Sequence, residues 1–97
     1  MKPVWLAAAA VVAMLAARHA QAQDGGALAT SKGCTNCHAL DQKKMGPSFK
    51  EIAAKYTGNA NAEPTLMAEL KEGKGHPKFA GTDADLKSVI EYVLSAR

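Results

Sequence analysis

The chain lacks most of what stabilises a small domain. Aromatic residues make up only 5% of its 97 residues, and it contains two cysteines. One cysteine pair excludes a disulfide-rich scaffold, which needs several bridges. No alternation of apolar and polar residues is visible, so the sequence does not predict a β-sheet. The charged residues are interspersed, with 12 Lys and Arg against 9 Asp and Glu. The absence of a cationic run argues against nucleic-acid binding.

Residues 1–22, "MKPVWLAAAAVVAMLAARHAQA", have the pattern of a secretory signal peptide. Lys2 precedes an apolar run of about 14 residues, and the segment ends in Ala20-Gln21-Ala22. A membrane-spanning helix needs about 20 apolar residues, so an uncleaved anchor is the weaker interpretation. We therefore expect cleavage after residue 22 and no stable membrane insertion afterwards. The remaining 75 residues, 23–97, would form one domain, which is small enough that an additional stabilising group is expected.

The rest of the chain has the periodicity of helices, so the predicted fold class is all-α. The clearest pattern is in the last segment, where Leu86, Val89, Ile90, Val93 and Leu94 recur at helical spacing. Thr82 and Asp85 form a predicted capping box at its start. Altogether, helices are predicted over residues 25–32, 47–56, 62–72 and 82–97.

Both cysteines lie in the motif Cys34-Thr35-Asn36-Cys37-His38. A disulfide across two residues closes too short a loop to stabilise the domain much, and a redox dithiol needs an α/β context that is absent here. A zinc site made by Cys34, Cys37, His38 and His76 is a weaker alternative, because adjacent side chains at 37 and 38 diverge. Cys-x-x-Cys-His is the attachment sequence of c-type haem. The two thiols would bond the porphyrin and His38 would ligate its iron, which also provides the missing stabilising group.

Three segments, "KGCTNCHALD", "MGPSFKEIAAKYTGNANAE" and "DADLKSVIEYVLS", resemble the small bacterial class I c-type cytochromes. The resemblance implies a class I cytochrome c fold, with about four short helices around one covalently bound haem c. It also implies that the carbonyl of Pro47 accepts a hydrogen bond from Nδ1 of His38. The first and last helices are expected to cross, with Gly33 or Ala29 permitting their close approach.

The sequence departs from this family at the sixth iron ligand. Family members usually carry Met-Pro in a loop before the last helix, whereas "GKGHPKFAGTDADL" has His76-Pro77 at that position. We therefore predict that His38 and His76 both ligate the iron. Ligation by Met67, which has the spacing of a packing residue, and an open sixth position are the alternatives. A second imidazole favours Fe(III), so a lower reduction potential than in methionine-ligated relatives is expected.

The predicted function is that of a periplasmic monohaem c-type cytochrome, an electron carrier and not an enzyme. Its expected partners are a redox protein donor and acceptor, together with the haem maturation machinery. The alternative function is a haem-based sensor or binding protein for a diatomic gas, in which His76 leaves the iron. Catalysis is disfavoured, because no further histidine remains between residues 23 and 97 to act as a distal acid or base.

Overall fold

The computed structural model describes residues 25–97, so the predicted signal peptide at 1–22 lies outside the described residues. This part of the chain is all-helical, as predicted, and contains no strand. None of its helices is long and apolar enough to cross a membrane. The elements are α1 at residues 25–31, a 3₁₀ turn at Cys34–Asn36, α2 at Phe49–Lys55, α3 at Ala62–Glu72 and α4 at Asp83–Leu94.

Two hydroxyl side chains determine where helices begin. The Thr82 hydroxyl accepts a hydrogen bond from the backbone N–H of Asp85 at 3.1 Å, which confirms the predicted cap of α4. Ser48 caps α2 in the same way, because its hydroxyl accepts a hydrogen bond from the backbone N–H of Glu51 at 3.1 Å. The prediction that α2 begins at Pro47 is therefore wrong by two residues. Ser48 has an extended backbone, with ψ at 157°, and Pro47 precedes it.

The core forms where α4 meets α1 and α2. Leu86, Val89, Ile90 and Val93 on α4 are buried, as their spacing predicts. Phe49 and Ala53 of α2 pack against this face, together with the fully buried Ala29 of α1. The segment that follows the Cys-x-x-Cys-His motif is thereby fixed to the C-terminal helix.

The crossing of α1 and α4 depends on glycines other than the one predicted. A Cβ atom on Gly25 would lie 2.5 Å from the Ser88 carbonyl oxygen and 2.9 Å from Tyr92 Cβ. One on Gly26 would lie 3.2 Å from the Tyr92 ring. Ala29 contributes to the core as expected, but Gly33 serves a different purpose. Its φ of 82° is left-handed and starts the 3₁₀ turn.

Candidate haem site

The Cys-x-x-Cys-His motif forms a single tight turn immediately after α1. The backbone N–H groups of Cys37 and His38 both donate to the Cys34 carbonyl, at 3.2 and 3.0 Å. Both thiols are free and half-buried. The turn therefore holds the two sulfur-bearing residues and the histidine within one turn of chain, with neither thiol consumed by a disulfide.

Burial raises the pKa of the Cys34 thiol above its ordinary value. A redox-active dithiol is typically associated with a lowered thiol pKa, which is the opposite direction.

The ring of His38 is held on several sides. Its Nδ1 lies 2.5 Å from the Pro47 carbonyl oxygen. A carbonyl can only accept, so Nδ1 carries the proton and Nε2 keeps a free lone pair. The Phe49 ring lies nearly parallel to the imidazole, with centroids 5.7 Å apart. Gly46 faces the imidazole closely, because a Cβ there would lie 2.8 Å from Nδ1 and 3.0 Å from Nε2.

His76 lies in the loop between α3 and α4. Gly73 and Gly75, which precede it, have φ of 71° and 64°, a left-handed conformation that favours glycine. The Nδ1 of His76 lies 2.7 Å from the Pro77 carbonyl oxygen. By the same argument as for His38, Nε2 is the nitrogen left to bind a metal.

The structure brings His38 and His76 together, although 37 residues separate them in sequence. Their ring centroids lie 6.0 Å apart and their planes differ by 18°. A metal–imidazole bond is about 2 Å long and the ring centre lies about 1 Å further away, so two imidazoles on one metal have centres roughly 6 Å apart. The observed centroid separation of 6.0 Å is close to this distance.

Two methionines lie near the motif or on α3. Met67 lines a shallow groove beside α3 with Ala60 and Pro64, and none of the groove's lining residues is a histidine or a cysteine. Met45 is 89% exposed on the loop after the motif. The ring of His76, by contrast, has its centroid 6.0 Å from that of His38.

Sequence reasoning did not identify three residues that shape the site: Gly46, Phe49 as a neighbour of the His38 ring, and the carbonyl of Pro77. Gly46 was readable only as part of a turn, and Phe49 only as an apolar residue of a helix. The sequence distinguishes the dipeptide His76-Pro77 only by its position before the last helix. Its hydrogen bond has no sequence signature, because it depends on the backbone conformation of residue 77.

A helical domain with a Cys-x-x-Cys-His turn and a second histidine ring near the first has the features of a c-type haem protein. The chain belongs to the cytochrome c family, whose model matches residues 22–97. Family membership means that the protein carries covalently attached haem c and serves electron transport.

Named relatives agree with this assignment. Cytochrome c-551 of Pseudomonas aeruginosa is 36% identical over 104 residues, covering all of both chains. Cytochrome c-551 of Azotobacter vinelandii is 42% identical over 80 residues, covering 75% of this chain and 98% of the relative. The crystal structure of the class 1 cytochrome MtoD from Sideroxydans lithotrophicus ES-1 has a TM-score of 0.66 at 30% identity, covering 76% of this chain and 94% of that one.

Proposed function

We propose that the protein is a periplasmic monohaem electron carrier with two histidine ligands. In this proposal Cys34 and Cys37 would hold the haem covalently, and His38 and His76 would both ligate its iron. The observation that carries the proposal is the near-parallel pair of imidazoles with centroids 6.0 Å apart. Family membership supports the electron-carrier function, and the apolar run at 1–22 supports export.

The haem, when bound, supplies the one-electron chemistry, and the polypeptide determines how its ligands are presented. Both candidate ligands have Nδ1 directed to a proline carbonyl, that of Pro47 or Pro77. Hydrogen bonds of this kind fix ring orientation and raise the basicity of the ligating nitrogen. Two such imidazoles favour Fe(III), so the proposed carrier works at a lower potential than methionine-ligated relatives.

The roles proposed for the two histidines support a carrier function and not an enzymatic one. Residues 25–97 contain only His38 and His76. Each has Nδ1 engaged and would bind iron through Nε2. With both imidazoles occupied, no imidazole in this part of the chain is left for general acid or base catalysis.

Addition of carbon monoxide to the reduced holoprotein should leave the Soret band unchanged over minutes. His38 and His76 would both bind the iron through Nε2, so an external ligand has no ready site. Absorption spectroscopy measures this directly. A haem peptide cut from the same holoprotein by protease, which retains His38 but lacks His76, serves as the positive control. A rapid stoichiometric shift in the intact protein would favour the diatomic-gas sensor over the carrier.

The loops that flank the histidine pair contain more basic than acidic residues. Residues 37–48 contain Lys43 and Lys44 against Asp41, and residues 73–82 contain Lys74 and Lys78 and no acidic residue. Lys43 is exposed, and so are the apolar side chains of Leu40 and Met45 nearby. A cationic face of this kind attracts an acidic redox partner and raises its rate of encounter.

The substitution Lys43→Glu should therefore slow electron transfer from a reduced acidic plant-type ferredoxin about tenfold at low ionic strength. The difference from wild type should shrink as salt screens the charges. Stopped-flow absorption measures both rate constants. Lys87→Glu makes the same charge change at an exposed site on α4 and should have a clearly smaller effect. Equal slowing by the two variants would exclude docking at the loop face.

A further inference from the structure

Both candidate iron ligands donate from Nδ1 to a proline carbonyl, but the two carbonyls lie at different distances along the chain. His38 uses the carbonyl of Pro47, nine residues away, at 2.5 Å. His76 uses the carbonyl of its immediate neighbour Pro77, at 2.7 Å. The first depends on the tertiary fold that brings the loop back to the motif. The second is contained within a dipeptide.

Pro77 constrains His76 in two ways. The proline ring fixes its own φ near −65°, which limits the directions available to its carbonyl. It also disfavours a helical backbone at the preceding residue, so His76 is restricted to extended conformations. Both effects limit the backbone conformations at residues 76 and 77, and a hydrogen bond to the carbonyl requires the tautomer with the proton on Nδ1.

The loop around this dipeptide is anchored just beyond it. The Phe79 N–H donates to the Leu70 carbonyl of α3 at 2.9 Å, and the Phe79 ring packs against the core. The preceding residues are less restricted, since Gly73 and Gly75 both take left-handed conformations. Pro77, whose φ is fixed, therefore connects His76 to the anchored residue Phe79.

We propose that Pro77 is a positioning residue for the distal imidazole: it selects the Nδ1–H tautomer of His76, presents Nε2 to the iron and thereby lowers the reduction potential. This inference rests on the proposed ligation by His76. In the His76–Pro77 pair, as in the His38–Pro47 pair, Nδ1 of the imidazole donates to a proline carbonyl. Both ligands would therefore donate electron density to the iron from a hydrogen-bonded imidazole. Loss of the distal constraint weakens the preference for Fe(III).

The test is Pro77→Ala in the full-length holoprotein, compared with Pro64→Ala, which removes a proline at an exposed site in the first turn of α3. Relaxing a residue that orients a metal ligand should change the relative affinity for Fe(III) and Fe(II) about tenfold. For a one-electron couple this is about 59 mV. Spectroelectrochemical titration should show the potential of the Pro77 variant shifted positively, and that of the Pro64 variant unchanged. Equal potentials in the two variants would overturn the inference.

A second measurement needs no variant. Histidine labelled with ¹⁵N in the reduced holoprotein should give two hydrogen-bonded Nδ1–H resonances, one from His38 and one from His76. A single resonance, belonging to His38, would overturn the role of Pro77. The proposed ligation is tested separately by electron paramagnetic resonance of the wild type. A bis-imidazole spectrum combined with a single Nδ1–H resonance refutes the positioning role alone, whereas a thioether or high-spin spectrum refutes the proposed ligation.

Discussion

Replacing His76 by methionine should raise the reduction potential by on the order of 0.1 V, a fraction of the roughly 0.8 V range over which axial ligands set haem potentials. A thioether stabilises Fe(II), whereas the second imidazole that we propose for the wild type stabilises Fe(III). The loop already presents residue 76 opposite His38, with ring centroids 6.0 Å apart. Methionine is long and flexible enough to reach the same position. Spectroelectrochemical titration of both proteins gives the shift.

Two controls make this result specific to the ligand. Met67→Leu replaces the other candidate by a residue of similar volume and should leave the potential unchanged, because Met67 lines a surface groove. His76→Ala should produce an open iron position that external imidazole refills, restoring the wild-type spectrum. If His76→Met left the potential where it was, while Met67→Leu moved it, ligation by Met67 would replace the present proposal.

Replacing Phe49 by alanine should lower the free energy of unfolding by about 3–5 kcal/mol. Phe49 is only 3% exposed, and its ring contacts His38 on one side and Tyr92 on the other, with centroid distances of 5.7 and 5.9 Å. Truncation leaves a cavity between α2 and α4 and removes the ring packed beside the proximal imidazole. Denaturant unfolding of the oxidised holoprotein, followed by far-ultraviolet circular dichroism, measures the loss.

The matched control for this substitution is Met45→Ala. Met45 is a large apolar residue four positions before Phe49, but it is 89% exposed. Its truncation should change stability by no more than about 0.5 kcal/mol. A similar loss in both variants would mean that Phe49 does not couple the motif to α4 in the way that its contacts indicate.

The helix boundaries were predictable where local chemistry and tertiary packing agree. The bounds of α3 match the predicted 62–72, because Gly73 ends the helix in a left-handed conformation. The start of α4 follows from Thr82. At α2 two signals compete, since proline favours a first helical position and serine favours a cap. The hydroxyl of Ser48 prevails, and this leaves the Pro47 carbonyl outside the helix and in contact with His38.

The candidate site was predictable to the extent that its chemistry is local. Five consecutive residues identify the haem attachment motif, and the resemblance to a family predicts a ligand at position 76. The tautomer of His76 and the close approach of Gly46 to His38 were not predictable, because both depend on three-dimensional placement. Of the two residues predicted to permit the crossing of α1 and α4, Ala29 is buried in the core, whereas Gly33 lies beyond the end of α1. The close approach of Gly25 and Gly26 to α4 depends on three-dimensional placement in the same way.

The most direct test of the proposed ligation is the low-temperature electron paramagnetic resonance spectrum of the oxidised wild-type holoprotein. Two imidazoles whose planes differ by 18° should give a rhombic low-spin ferric signal typical of near-parallel histidine ligands. A low-spin signal typical of imidazole with a thioether, or a high-spin signal from an open position, would contradict ligation by His76.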